Sequence, residues 1–232
     1  MGLTIHYTIR WPKKHRLSLA GAVFEAHRRI ARRRLGQVSP VRDADGTWGG
    51  GLDSVPIPGE PGEFGEVPPL CGRLFTLDPG EDCEPAIMGL CVYPPCIPRT
   101  DSKTHRLRGA IFRGWSKTQY ASLHGWAHFR RCHLAVIRAL EVWQELGARV
   151  KISDEGEYWP HRSERKLRHE LGLMNGAIAG AAGALKDIAD ESGGPPVQSP
   201  IFAHPQFERL EAEGVERVGG HVAQVIKAIR RR

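Results

Sequence analysis

The chain has no apolar run long enough to cross a bilayer. Its longest, "LGLMNGAIAGAAGAL" at 171–185, falls short of the roughly 20 residues a membrane helix needs and contains Asn175. It also lacks a CxxC pair: Cys71, Cys83, Cys91, Cys96 and Cys132 stand at irregular spacings, which excludes the usual zinc knuckle and redox motif. There is no Gly-rich phosphate loop, no GxSxG elbow, no dinucleotide fingerprint and no HExxH pair. No RNP, KH or zinc-finger signature is present either. The opening "MGLTIHYTIRWPKKH" has no apolar leader core and alternates like a strand, and His6 stands where a myristoylation motif wants Ser or Thr. A soluble, cytoplasmic protein without a membrane partner is expected.

Acids are scarce at the start of the chain. Residues 1–35 hold nine Lys/Arg against one acid, a balance of +8. Residues 36–91 reverse it to −8, residues 92–152 restore +8, and the remainder carries −1. Such a layout points either to an anionic partner or to an acidic insert lying over a basic face.

Hydrophobic content of 41% over 232 residues fits a single domain with a sizeable core. Leu3, Ile5, Tyr7 and Ile9 alternate with polar residues as in a half-buried strand. Helical spacing follows at 18–35, at 123–146, over a long 162–190 and finally at 206–230, an appended helical segment within 191–232. "GRLFTL" and "AIMGLCVY" predict a hairpin around "DPGEDCEP", and "GAIFRGWSK" and "ARVKIS" predict further strands. Segment 36–70, rich in Pro, Gly and acids, reads as a lid or a disordered insert. The order strand, helix, strand, strand, helix, strand predicts an α+β fold with an antiparallel or mixed sheet, helices on one side and long C-terminal helices. A ferredoxin-like split βαβ forms its core, with 109–116 as an additional strand.

Four groups of residues carry candidate chemistry. Arg28, Arg29, Arg32 and Arg33 lie opposite Val23, Phe24, Ile30 and Ala31 on one helix, with Glu25 the only acid there. Guanidinium forks pair well with phosphate, so this stripe predicts phosphate-driven, sequence-tolerant binding to DNA or RNA. A solvated face, or one covered by the acidic 43–66 segment, is the alternative reading. "HGWAHFRRCH" offers His124, His128 and Cys132 at helical spacing for a divalent metal such as zinc. At most two of them can share one ion, and a structural zinc needs four ligands. Asp154, Glu155 and Glu157 end a strand. If that strand continued, Glu155 and Glu157 would share a face able to hold Mg²⁺. With Lys117 on a phosphate, Tyr120 or His6 moving a proton and Glu84 at the hairpin tip, they would form a small metal-assisted phosphoester hydrolase.

A third reading concerns helix 162–190, where Gly172, Gly176 and Gly180 recur on one flank. Each glycine costs a helix about 1 kcal/mol, so another backbone is expected to approach closely there. A protein partner or a second copy of the chain would supply it. Finally, "MGLTIHY", "CEPAIMGLCVYP", "KTQYAS", "RCH" and "SDEGEYW" together resemble an uncharacterised bacterial protein family that opens on a similar hexapeptide. The resemblance covers most of the chain outside 36–70. It implies a bacterial, cytoplasmic origin and carries no established activity.

Overall fold

Ile5, Tyr7, Ile9 and Trp11 are all buried while His6 and Arg10 are exposed, so the alternation read in the sequence is a strand with one face inward. This strand is β1 (Thr4–Trp11) of a computed structural model describing residues 3–44, 52–56, 64–98, 104–106 and 109–216. Helix α1 (Leu19–Arg32) follows, capped by Ser18, whose hydroxyl accepts from the Gly21 amide. It buries Ala22, Val23, Ala26 and Ile30 at helical spacing. Short strands β2 (Gln37–Val38) and β3 (Arg42–Asp43) come next, then a hairpin of β4 (Leu52–Pro56) and β5 (Phe64–Val67). Parts of the 36–70 segment are thus paired as strand; 45–51 and 57–63 lie outside the described residues.

Strands β6 (Cys71–Asp78) and β7 (Ala86–Val92) form the expected hairpin around "DPGEDCEP". After a small ladder of β8 (Cys96–Pro98) and β9 (Thr104–Arg106) comes β10 (Ala110–Lys117). A 3₁₀ turn, Gln119–His124, leads into α2 (Trp126–Glu145), and β11 (Arg149–Asp154) and α3 (Glu164–Ser192) complete the core elements. Residues 207–216 are again helical; the rest of the expected terminal helix, 217–232, lies outside the described residues.

The main sheet runs β11-β1-β10-β7-β6-β2, with β3 also pairing β6, and every pairing is antiparallel. The fold class is therefore α+β, with α1 and α2 packed on one face. Strands β11, β1, β10 and β7 occupy the places of the fourth, first, third and second strands of a ferredoxin-like core. The additional strand is β6, which follows α1 in the chain and lies outside β7 with β2 and β3 beyond it, and not the 109–116 strand as the sequence suggests. The physical reason is burial. Ile111 and Phe112 point to opposite faces of β10 and both are inaccessible, so β10 belongs inside the sheet, where it pairs β1 on one side and β7 on the other.

On the helix-bearing face Tyr7 stands opposite Gly114, and its hydroxyl donates to the Ile87 carbonyl on β7 at 2.6 Å. The ring reaches that far because Gly114 leaves β10 bare beneath it. A Cβ at this position would lie 2.8 Å from Tyr7 Cε2 and Cζ and from Phe112 Cε1. These rings are buried and the tyrosine is tethered, so neither can swing aside.

The glycine flank of α3 meets a backbone, as the spacing demands, but that backbone is the chain's own. A Cβ on Gly180 would lie 3.0 Å from the Gly214 carbonyl carbon, and one on Gly214 would collide with the Gly176 carbonyl oxygen at 1.9 Å. Ala179, Ala182, Ile201 and Leu210 form a small second core beneath this crossing. The partner expected at Gly176 and Gly180 is thus the helical stretch 207–216; a Cβ on Gly172 would meet nothing within 4 Å. Among the described residues, no helix is long and apolar enough to cross a membrane.

Gly114→Ala should cost about 2 kcal/mol by overpacking a tethered ring. Tyr7→Phe should cost about 1 kcal/mol by leaving the Ile87 carbonyl without its donor. Urea unfolding followed by circular dichroism measures both, and unchanged midpoints would contradict this packing.

Candidate functional site

The sheet is covered by helices on one side, and the other side of β11, β1 and β10 faces solvent except at Ile111, which is buried. Directly opposed residues share a face in an antiparallel ladder. The registers therefore fix the rows of this open face: Arg149, Arg10 and Ile111; Lys151, Thr8 and Arg113; Ser153, His6 and Trp115; then Thr4 and Lys117. Arg10, Arg113, Arg149 and Lys151 are exposed, and none makes an ion pair with a described residue. Trp115 is 62% exposed among them, unusual for so large an apolar side chain. Two adjoining hollows mark the surface. One of about 290 Å³ is lined by His6, Thr8, Arg113, Trp115, Lys151 and Ser153. The other, about 420 Å³, is walled by Arg10, Arg113, Arg149 and Lys151.

The carboxylate at the margin of this face is Glu155. It accepts the Thr4 amide at 2.8 Å and lies 3.8 Å from His6 Nε2. Asp154 does not join it. Paired with Ile5, it turns to the helix side, where its Oδ1 lies 3.2 Å from Nε2 of His133 and both side chains are fully buried. Nε2 makes no well-formed hydrogen bond with any described residue, and Asp154 is the carboxylate it faces. Thr118 Oγ1 lies 2.9 Å from the other ring nitrogen. Asp154 also accepts the amides of Gly156 and Trp159 at 2.8 and 2.9 Å. Burial pushes its pKa up, but His133 and these amides outweigh burial and hold the carboxyl below its ordinary range.

A second buried chain lies alongside. Gln119 accepts the Leu3 amide and donates to Asn175, which donates to Ser122. The opening strand, "KTQYAS", "RCH" and "SDEGEYW" therefore meet at one end of the sheet. "CEPA" joins them through the Glu84 amide on the Lys117 carbonyl and the Ser116 hydroxyl on the Glu84 carbonyl. No residue of the sequence marks this convergence by spacing; it needs the antiparallel registers.

The arginine stripe looks different once its partners are seen. Glu25 takes both Arg28 and Arg29 at 2.7 Å, and Arg33 reaches Glu145 of α2 at 2.7 Å. The two arginines hold the Glu25 carboxyl below its ordinary range. Arg32 is exposed and makes no ion pair with a described residue. So the stripe offers one unengaged guanidinium where the sequence suggests four. Among the described residues, the carboxylates that engage it come from helices; Asp43 of the acidic segment pairs with Arg73 at 3.3 Å.

The metal-ligand expectations are corrected in the same way. The strand ends at Asp154, and Glu157 sits in a turn at φ 51° with its carboxylate on Lys166 at 2.7 Å. Glu155 and Glu157 therefore do not share a strand face. His124 binds Asp82 at 2.7 Å, and His128 Nε2 lies 3.1 Å from the Glu81 carbonyl oxygen. Cys132 is buried beside Cys83. These three dock the 79–85 turn onto α2. Among the described residues, no three His, Cys, Asp or Glu side chains converge as a metal-ligand set. Of the remaining candidates, Lys117 lies over the Tyr120 ring at 4.9 Å, while Gln119 is buried. Glu84 is exposed and reaches Lys117 only through its backbone.

Arg10, Arg113, Trp115, Arg149 and Lys151 escape a reading by helical stripes. Their signal is the polar half of each strand alternation inside the +8 segments. Comparisons with protein-family models, curated proteins and solved structures return no match to this chain.

Asp154→Asn should destabilise the fold by about 2 kcal/mol at neutral pH, because an amide replaces the buried carboxylate that accepts the Gly156 and Trp159 amides and faces His133. A carboxyl lowered in the folded state contributes stability above its unfolded pKa, roughly 4, and loses it as pH falls through the folded value. The gap between wild type and variant in urea midpoint should therefore narrow below about pH 4. A constant gap would contradict the assignment.

Proposed function

We propose that the protein is a sequence-tolerant nucleic-acid-binding module whose contact surface is the open face of β11, β1 and β10. The observation that carries this reading is the exposed Trp115 set among Arg10, Arg113, Arg149 and Lys151, cations that the described chain leaves without counter-charges. Three strands span about 14 Å at the usual spacing, a width suited to an extended single strand. An indole face can stack on any base, which gives affinity without sequence preference. The surrounding cations neutralise phosphates and release counterions. His6 and Ser153 line the same hollow as Trp115 and can donate to sugar or phosphate oxygens. Arg32 on α1 lies on the opposite side of the sheet and extends the positive field without touching the same strand. Membership of the bacterial family that the sequence resembles, and a cytoplasmic setting, belong to the same proposal.

Labelled single-stranded oligonucleotides, titrated over a range of salt by fluorescence anisotropy, provide the test. Trp115→Ala should weaken binding by about tenfold, corresponding to roughly 1–3 kcal/mol for one stacked base. Arg113→Ala with Lys151→Ala should make the log–log salt slope shallower by about 1.4, at about 0.7 per phosphate contact. Arg29→Ala with Arg33→Ala, already engaged by carboxylates, should change the slope less. Absence of binding at low salt, or a slope that responds only to the α1 pair, would overturn the proposal.

A further inference from the structure

The turn between β6 and β7 is held on α2 by contacts of unusual chemistry. His124 takes Asp82, His128 takes the Glu81 carbonyl oxygen, and Gly80 lies so close over Cys132 that a Cβ there would stand 2.8 Å from its sulfur. Beneath this lid the Cys83 thiol hydrogen-bonds the Cys132 sulfur, and His128 Nε2 lies 3.5 Å from that sulfur. Arg131 stands beside His128 at 2.7 Å. Cys83 is half-buried and Cys132 is fully buried, so the pair has an outer and an inner sulfur. Neither thiol serves the open sheet face, and a packed hydrophobic cysteine needs no second sulfur and no histidine. This site is independent of the nucleic-acid reading.

We propose that Cys83 and Cys132 form a peroxide-oxidisable dithiol that closes to a disulfide between the 79–85 turn and α2. The hydrogen bond from Cys83 lowers the Cys132 pKa against the opposing effect of burial, with His128 and Arg131 adding to it. Cys83 is the sulfur a hydroperoxide reaches. As it attacks the O–O bond, an S–O bond forms, the O–O bond breaks, and the departing hydroxide takes the Cys83 proton as water. The Cys132 sulfur then attacks the Cys83 sulfenic sulfur. An S–S bond forms, the S–O bond breaks, and the departing hydroxide takes the Cys132 proton as water. One peroxide is reduced and two thiols are oxidised.

The test treats the full-length protein with hydrogen peroxide, blocks remaining thiols under denaturing conditions and maps peptides by mass spectrometry. The expected result is a linked Cys83–Cys132 peptide pair two hydrogens lighter than the separate peptides, restored by dithiothreitol. Cys132→Ser should instead accumulate a sulfenic acid on Cys83, trapped by a cyclic dione. Cys83→Ser should protect Cys132 from peroxide. The wild-type mapping stands alone if either variant fails to fold. Full alkylation of both cysteines after treatment, or linkage of either one to Cys71, Cys91 or Cys96 in place of each other, overturns the proposal.

Discussion

A carboxylate buried at the end of β11 organises this protein. The Asp154 side chain is fully buried, 3.2 Å from a buried His133, and takes the amides of Gly156 and Trp159 as well. Leaving a carboxylate unpaired in such a place costs several kcal/mol. Its inward orientation is therefore strongly fixed, and strand geometry does the rest. Side chains alternate, so Asp154 inward forces Ser153, Lys151 and Arg149 outward. Pairing with β1 then brings His6, Thr8 and Arg10 beside them, and β10 adds Arg113 and Trp115. A single buried contact on the helix side thus determines which residues stand on the solvent side.

The two faces of the sheet divide the labour. The inner face carries the apolar core and a polar end wall built from Thr118, Gln119, Ser122, His133, Asp154 and Asn175, in which most polar groups find partners inside the protein. Such a wall holds the opening strand, the 3₁₀ turn, α2 and α3 in one arrangement. The outer face is the reverse: cations without an ion-pair partner among the described residues, and an exposed indole. Two cationic surfaces compete as binding candidates, and their surroundings separate them. On α1, Glu25 and, from α2, Glu145 already engage three of the four guanidinium groups that the sequence picks out. Exposed ion pairs of this kind are worth only about 0–1 kcal/mol, so they can open, but opening them subtracts from any binding gain. Among the described residues, no carboxylate imposes such a cost on Arg10, Arg113, Arg149 or Lys151.

Much of the architecture was legible in the sequence. The alternation of Leu3, Ile5, Tyr7 and Ile9 gave β1, and the helical spacing gave α1, α2 and α3. The glycine spacing on α3 announced a close backbone, although Gly214 as its source could not be foreseen. The candidate site was less legible for a specific reason. Asp154, Glu155 and Glu157 look alike as three acids near a strand end, yet one is buried, one caps Thr4 and one faces Lys166. Likewise the fate of Arg33 depends on Glu145, 112 residues away, which no local pattern reports. Contacts of that range decide which charges stay available, and they are set by the registers of β1, β10 and β11.

The most direct test of an open-face binding surface is an amide footprint, by ¹⁵N chemical-shift mapping of the protein with a single-stranded oligonucleotide. Binding through the open face predicts shifts concentrated on β1, β10 and β11 together with the Trp115 indole N–H, while α1 stays largely unmoved. Shifts centred on Arg28–Arg33 with β1, β10 and β11 silent would contradict it.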